Sequence, residues 1–264
     1  MIRNLFAAIL LLVALPAAAR KQDTGFLDRT VTVAGTLYRY QVFVPNNWTK
    51  KQKWPVVLFL HGSGERGNTG LLQTDVGLPH TIRTSQKPVP FVVVIPQCLS
   101  EQVWTDDAME AQALAALDQS IKEFNGDRDR VYLTGLSMGG YGTWDLAAKN
   151  TGRFAAYVPV CGGVSAPKDF QQISGALGRD PNINPYAETA KRIGKTPVWI
   201  FHGDADDSVP VEESRKMAEA LKASGANYKY TEYPGVGHNS WDKAYAEPEL
   251  EPWLLKQRVL KPNH

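Results

Sequence analysis

Cysteine is scarce in this chain: Cys98 and Cys161 are the only two in 264 residues. Neither belongs to a C-x-x-C pair and no H-E-x-x-H occurs, so the spacings that build zinc sites are missing. No motif calls for a metal or any other cofactor. A charge imbalance is missing too, since 29 basic and 27 acidic residues leave +2. The chain therefore lacks the strong basic field that draws nucleic acid or an anionic membrane. Its one basic cluster, Thr49 to Lys53 between Trp48 and Trp54, is not continued by further Lys or Arg and reads as a solvated loop. Long apolar runs are also absent: each breaks at Pro, Gly or charge well short of the roughly 20 residues that cross a bilayer.

What is present begins with a leader. Arg3 opens a basic region, Leu5 to Leu15 is an apolar stretch, and Ala17-Ala18-Ala19 supplies a small-residue cleavage pattern. Residues 1–19 thus read as a secretory signal peptide, and the protein as exported to the periplasm or beyond the cell. No membrane contact is expected after cleavage. The remaining residues, 20–264, carry no linker or repeat and suit a single domain. An oxidising compartment permits a Cys98–Cys161 disulfide, with two separate buried thiols as the other possibility.

Strands and helices alternate along the domain. "TVTVAG" and "YRYQVFVP" read as two early antiparallel strands. Five short apolar runs follow, at Val56 to Gly62, Phe91 to Gln97, Val131 to Gly135, Ala155 to Gly163 and Val198 to Asp204. Such runs fit strands buried on both faces of a parallel sheet. Helical spacing covers Met109 to Phe124, Gly139 to Lys149 and Val211 to Ala223, before a last strand "YKYTEYP" and a helix around Pro248 to Gln257. The order predicts a doubly wound, mostly parallel α/β sheet with helices on both faces and ligands beyond the strands' carboxyl ends.

Four glycines crowd one hydroxyl in "GLSMGGYG", Gly135 to Gly142, directly after the run "VYLT". Ser137 sits where strand must turn sharply into helix, and Gly135 and Gly139 stand where side chains would collide in that turn. The pattern is a nucleophile elbow. A serine nucleophile needs a base. His238, in the glycine-containing loop "PGVGHNSW" after the last strand, is the chosen one of five histidines. His61 and His202 end strands in "HG" turns and suit structural or oxyanion support, His80 falls in a polar loop and His264 is terminal. The acid comes from "FHGDADDSVP": Asp204, Asp206 or Asp207, with Asp206 preferred and Asp207 second. Ser, Asp, His is the chain order of α/β-hydrolases.

Together "LHGSGERG", "GLSMGGYGTW", "FHGDADDSVP" and "GHNSWDKAY" give nearly the whole domain a resemblance to the α/β-hydrolase superfamily. It is most similar to an exported bacterial "predicted peptidase" or phospholipase/carboxylesterase-like branch, related to feruloyl esterases and polyhydroxybutyrate depolymerases. That resemblance selects Asp206, three residues after the glycine of the H-G motif. It also implies an oxyanion hole of two backbone amides, Met138 and Ser63 or Gly64.

The reading is then a serine carboxylic ester hydrolase that passes through an acyl-enzyme and acts on small or polysaccharide-linked, plant-derived esters. A serine peptidase and a non-catalytic binding protein on the same fold are the alternatives. Only Val164 to Thr196 separates two successive central strands, too little for a large cap. Trp104 and Trp241 are expected to border an open cleft and stack on substrate rings. Glu65 and Arg66 either position a polar substrate or pair with each other. Trp144, Trp199 and Trp253 are assigned to the core.

Overall fold

The computed structural model describes residues 23–85 and 87–260, so the leader at 1–19 lies outside the described residues. Eight strands form one sheet: β1 (Gly25–Val33), β2 (Thr36–Val44), β3 (Trp54–Leu60), β4 (Val92–Pro96), β5 (Gly126–Leu136), β6 (Ala156–Val160), β7 (Val198–Gly203) and β8 (Tyr228–Tyr233). Their spatial order is β1-β2-β4-β3-β5-β6-β7-β8. β2 runs antiparallel to both neighbours, and β4 to β8 pair in parallel through β3. The hairpin joining β1 to β2 turns on Ala34 (φ 48°) and Gly35 (φ 82°), two left-handed residues that suit the right-handed twist of the strands.

Alternation within the apolar runs builds two cores. Val56, Leu58 and Leu60 of β3 face one side with Val92, Val94, Val131 and Leu133, while Val57 and Phe59 face the other with Val93, Ile95 and Tyr132. The first face is covered by helices α2 (Asp107–Glu123), α3 (Met138–Lys149), α5 (Pro185–Ile193) and α6 (Glu212–Ala223). The second is covered by α1 (Gly77–Thr84), α7 (Trp241–Ala246) and α8 (Leu250–Leu255). A one-turn helix, α4 (Ala176–Arg179), precedes α5. Each fully buried Leu, Val or Phe contributes about 1.5–3 kcal/mol, so a sheet sandwiched this way holds its loops on a rigid platform.

Two elements differ from expectation. α1 replaces the polar loop around His80, which is an exposed residue of that helix. Gly77 and Pro79 hide its helical propensity, yet Ile82 and Leu78, four apart, pack on the second core. The expected terminal helix is α8, and an additional short helix, α7, precedes it across Pro248, which lacks a backbone donor.

The segment 164–196 contains only a 3₁₀ stretch, Lys168–Ile173, and helices α4 and α5. Asn184 caps α5 by accepting the amides of Tyr186 and Ala187, and Pro185 occupies its first position. Buried Glu213 ties this segment to α6. Its Oε2 accepts the amides of Val164 (3.1 Å) and Ser165 (3.0 Å), and its Oε1 accepts the Tyr186 hydroxyl at 2.6 Å.

The β5–α3 junction leaves no room for a side chain at its glycines. A Cβ on Gly139 would lie 2.0 Å from the Leu60 carbonyl oxygen, and one on Gly135 would lie 2.3 Å from that of Gly139. Gly139→Ala is therefore expected to cost roughly 3 kcal/mol or more, read as a lowered midpoint in urea unfolding, whereas Gly152→Ala, where nothing lies within 4 Å, keeps a lowering set only by its φ of 77°.

Candidate active site

Ser137 takes the strained position that the glycines make available. Its backbone has φ 53° and ψ −121°, rare for a residue with a side chain. Its amide donates to Val160 O at 3.0 Å, and its carbonyl accepts the amides of Gly140 and Tyr141. These bonds from β6 and α3 hold the turn. Met138 begins α3, where an amide has no preceding helical turn to donate to.

His238 arrives from the loop after β8. Its Nε2 lies 2.9 Å from Ser137 Oγ, and its Nδ1 lies 2.8 Å from Asp206 Oδ2 and 3.0 Å from Oδ1. The serine–histidine–aspartate chain is complete at hydrogen-bond distances. The Asp206 side chain is wholly buried and that of His238 is 23% exposed, so one end of the chain is dry and the other reachable. Burial alone would push the Asp206 carboxyl up. Hydrogen bonds from His202, His238 and the Val209 and Ser208 amides outweigh it and hold the group well below the usual carboxylate range. Asp207 is not part of this chain: its Oδ1 accepts the Ser208 hydroxyl. Asp204 Oδ1 accepts the Gly235 amide.

His61 has a different task. Its buried ring accepts the Cys98 amide on Nε2 at 3.0 Å, so Nδ1 carries the proton and donates to Gly62 O at 2.6 Å. Carbonyl and N–H point in opposite directions across a planar trans peptide, so fixing the Gly62 carbonyl turns the Ser63 amide away from the His61 ring. This peptide runs beside the serine, since a Cβ on Gly62 would lie 3.7 Å from Ser137 Cβ.

Trp104 does not border the cleft. Its side chain is fully buried, its indole N–H donates to His61 O at 2.8 Å, and its ring meets His61 edge-on at 5.0 Å. The apolar indole body and a single buried acceptor draw it beneath the Gly62 loop, where it cannot stack on a substrate. Trp241 is partly exposed and meets His238 edge-on at 5.3 Å between ring centres. Glu65 and Arg66 do not pair: Arg66 Nε donates to Ser63 O, and Glu65 Oε2 lies 3.9 Å from His61 Nδ1. Trp144 and Trp199 are buried, and Trp253 packs against Trp199 at 5.4 Å.

Cys98 and Cys161 are separate, buried, free thiols. Cys161, Asp206 and His238 bring one ligand atom each within 4.8 Å of one another. Burial pushes the Cys161 thiol far up, however, and both Asp206 oxygens are engaged by N–H donors. That donor set is committed to hydrogen bonds rather than poised for a cation. Among the described residues no helix is long and apolar enough to cross a membrane.

Residues 104–256, more than half of the chain, match the prolyl oligopeptidase family. The chain belongs to that family. This family member is 31% identical to a thermostable esterase of known structure, with a TM-score of 0.72 over 88% of this chain and 63% of the other. Est1E from Butyrivibrio proteoclasticus, 18% identical, shares the α/β-hydrolase fold with a TM-score of 0.62, over 87% of this chain and 98% of its own. An uncharacterized secreted protein of Arthroderma benhamiae is 26% identical over 92% of this chain and 27% of its own length. Carboxylesterase SOBER1 of Arabidopsis thaliana is 27% identical over 54% of this chain and 55% of its own. The chain thus spans about a quarter of the first of these two curated relatives and little more than half of the second.

Burial lowers the His61 imidazole to about 4. The unfolded chain, with an ordinary imidazole near 6.5, binds that proton more readily, so the stabilisation is full above about pH 6.5 and is lost as pH falls towards 4. Urea unfolding should show roughly 2–3 kcal/mol lost from this source between pH 7 and pH 4. His61→Asn, which keeps a donor for Gly62 but does not titrate, should flatten that slope; an unchanged slope would assign it to other groups.

Proposed function

We propose that this protein is an exported serine carboxylic ester hydrolase, with residues 1–19 as its signal peptide and 20–264 as its catalytic domain. The observation that carries the reading is His238, with one ring nitrogen 2.9 Å from Ser137 Oγ and the other 2.8 Å from Asp206. In the reaction His238 takes the Ser137 proton as Oγ attacks the ester carbonyl, and Asp206 stabilises the imidazolium that forms. The amides of Met138 and Ser63 receive the oxyanion, the His61-fixed peptide presenting the second. Collapse of the tetrahedral intermediate expels the alcohol with the proton from His238. Water, deprotonated by the same ring, then releases the acid.

Esters are favoured over peptides because the thermostable esterase is 31% identical to this chain over 88% of its length. The secreted relative supports export. Small esters, including feruloyl and acetyl esters attached to plant polysaccharide, are in keeping with a 164–196 segment too short to form a large cap. Trp241 is a partly exposed ring beside His238 on which an aromatic acyl group can pack. Since the family name includes peptidases, a peptide anilide belongs among the test substrates.

Turnover of p-nitrophenyl esters, methyl ferulate, acetylated xylan and a peptide anilide checks the proposal. Ser137→Ala should abolish ester turnover, and a serine variant that keeps full rate sinks it. Preferential cleavage of the anilide would instead move the function to peptidase. Trp241→Ala is expected to raise KM for methyl ferulate several-fold, about 1 kcal/mol of lost ring contact, with a smaller change for p-nitrophenyl acetate.

A further inference from the structure

His202 stands outside the Ser137–His238–Asp206 chain yet touches its carboxylate. The ring is wholly buried at the end of β7. Its Nε2 lies 3.1 Å from Asp206 Oδ2 and 3.1 Å from Val209 O, and its Nδ1 lies 2.7 Å from Ser214 Oγ of α6. Both neighbours of Nε2 accept hydrogen bonds and cannot donate them, so Nε2 carries a proton in either charge state of the ring. The Ser214 hydroxyl rotates to match whatever Nδ1 requires. His238 also presents an N–H to Asp206, so one carboxylate oxygen is divided between two imidazoles.

We infer that His202 is a positioning residue: its Nε2–H fixes Asp206 Oδ2 and thereby sets the basicity of His238. This rests on Asp206 being the acid of the proposed mechanism. The Ser208 and Val209 amides hold Oδ1 at 2.9 Å each, so Oδ1 is anchored by the loop's own backbone. Oδ2 has no such amide; its donors are the two histidine rings. Without His202 the negative charge on Oδ2 falls to His238 alone, which favours the imidazolium and raises the pKa of the base. The lowered pKa of Asp206, to which the His202 hydrogen bond contributes ahead of that from His238, is in keeping with this division.

Other titratable groups face the pair from the neighbouring elements. Cys161 from the end of β6 and Tyr141 from α3, both coupled to Asp206, are pushed up by burial and stay neutral. Glu232 of β8, coupled to His202, is held down by the Arg215 guanidinium of α6. Glu213 of α6 is tied to Tyr186 and two amides, and Asp204 and Asp207 are tied within their own loop and to Gly235.

The test is a ¹⁵N-histidine NMR titration of His238 in the full mature chain carrying His202→Phe, His202→Gln or Ser214→Ala, beside the wild type and with thermal unfolding in parallel. Phenylalanine fills the ring's space without a donor, and the glutamine amide can place an N–H where Nε2 lies. The expected result is a His238 pKa raised by about half a unit or more in His202→Phe and returned towards wild type in His202→Gln. The acid limb of kcat/KM should move with it. Ser214→Ala, which loosens the ring, should give a smaller rise in the same direction, and it decides the matter if the phenylalanine variant does not fold. An unmoved His238, whatever happens to Tm, overturns the proposal, as does a glutamine variant displaced as far as phenylalanine. Because the titration needs no turnover, failure of the ester-hydrolase reading shows separately, as wild-type Ser137 that neither hydrolyses esters nor reacts with a fluorophosphonate.

Discussion

The contact on which this structure depends is backbone against backbone: the first turn of α3 pressed onto the carbonyl end of β3. Space for a methyl group does not exist there, with Gly139 against Leu60 O and Gly140 against Gly162 Cα. Only that approach lets a serine stand at positive φ on a turn with no loop residues to spare. Much else is arranged around it. β6 receives the Ser137 amide, Trp104 fills the space under Gly142, and the His61 ring fixes the peptide that passes beside the hydroxyl.

Electrostatics divides the work unequally among three histidines. His61 is kept neutral by burial and by a hydrogen bond it must accept from Cys98. His202 keeps a proton on the nitrogen that faces a carboxylate and a carbonyl. His238 alone combines partial exposure with a serine on one side and an acid on the other. The same side chain thus stands in three different settings, and what separates them is which atoms surround each nitrogen rather than anything in the ring.

Much of this was legible in the sequence because it depends on local pattern. Doubly buried strands announce themselves as apolar runs, and an elbow announces itself as glycines around Ser137. His238 and Asp206 follow from chain order once the elbow is granted. The misreadings concern partners distant in sequence. Trp104 looks like a cleft residue until His61, just past β3, supplies a carbonyl for its indole, and α1 looks like a loop because Gly77 and Pro79 mask a helix stabilised by Leu78 and Ile82 on a core assembled elsewhere. The Asp206–His202 contact is only four residues long, yet no spacing rule marks it: the signal was a histidine ending a strand beside the chosen acid, and its meaning required Ser214 from the following helix.

The Glu213 knot separates two kinds of change. Glu213 joins the start of the 164–196 segment to α6 by taking two amides and a phenol, while Ser137, His238, Asp206 and the Gly62 carbonyl take their hydrogen bonds from groups outside that segment. Changes of length within that stretch therefore remove no hydrogen bond from the Ser137–His238–Asp206 chain, and reach it only through the packing of Ala166 and Ile173 on Tyr141 and Val209. Glu213 is thus the join between a helix of the sheet's platform and a stretch that gives no hydrogen bond to Ser137, His238 or Asp206.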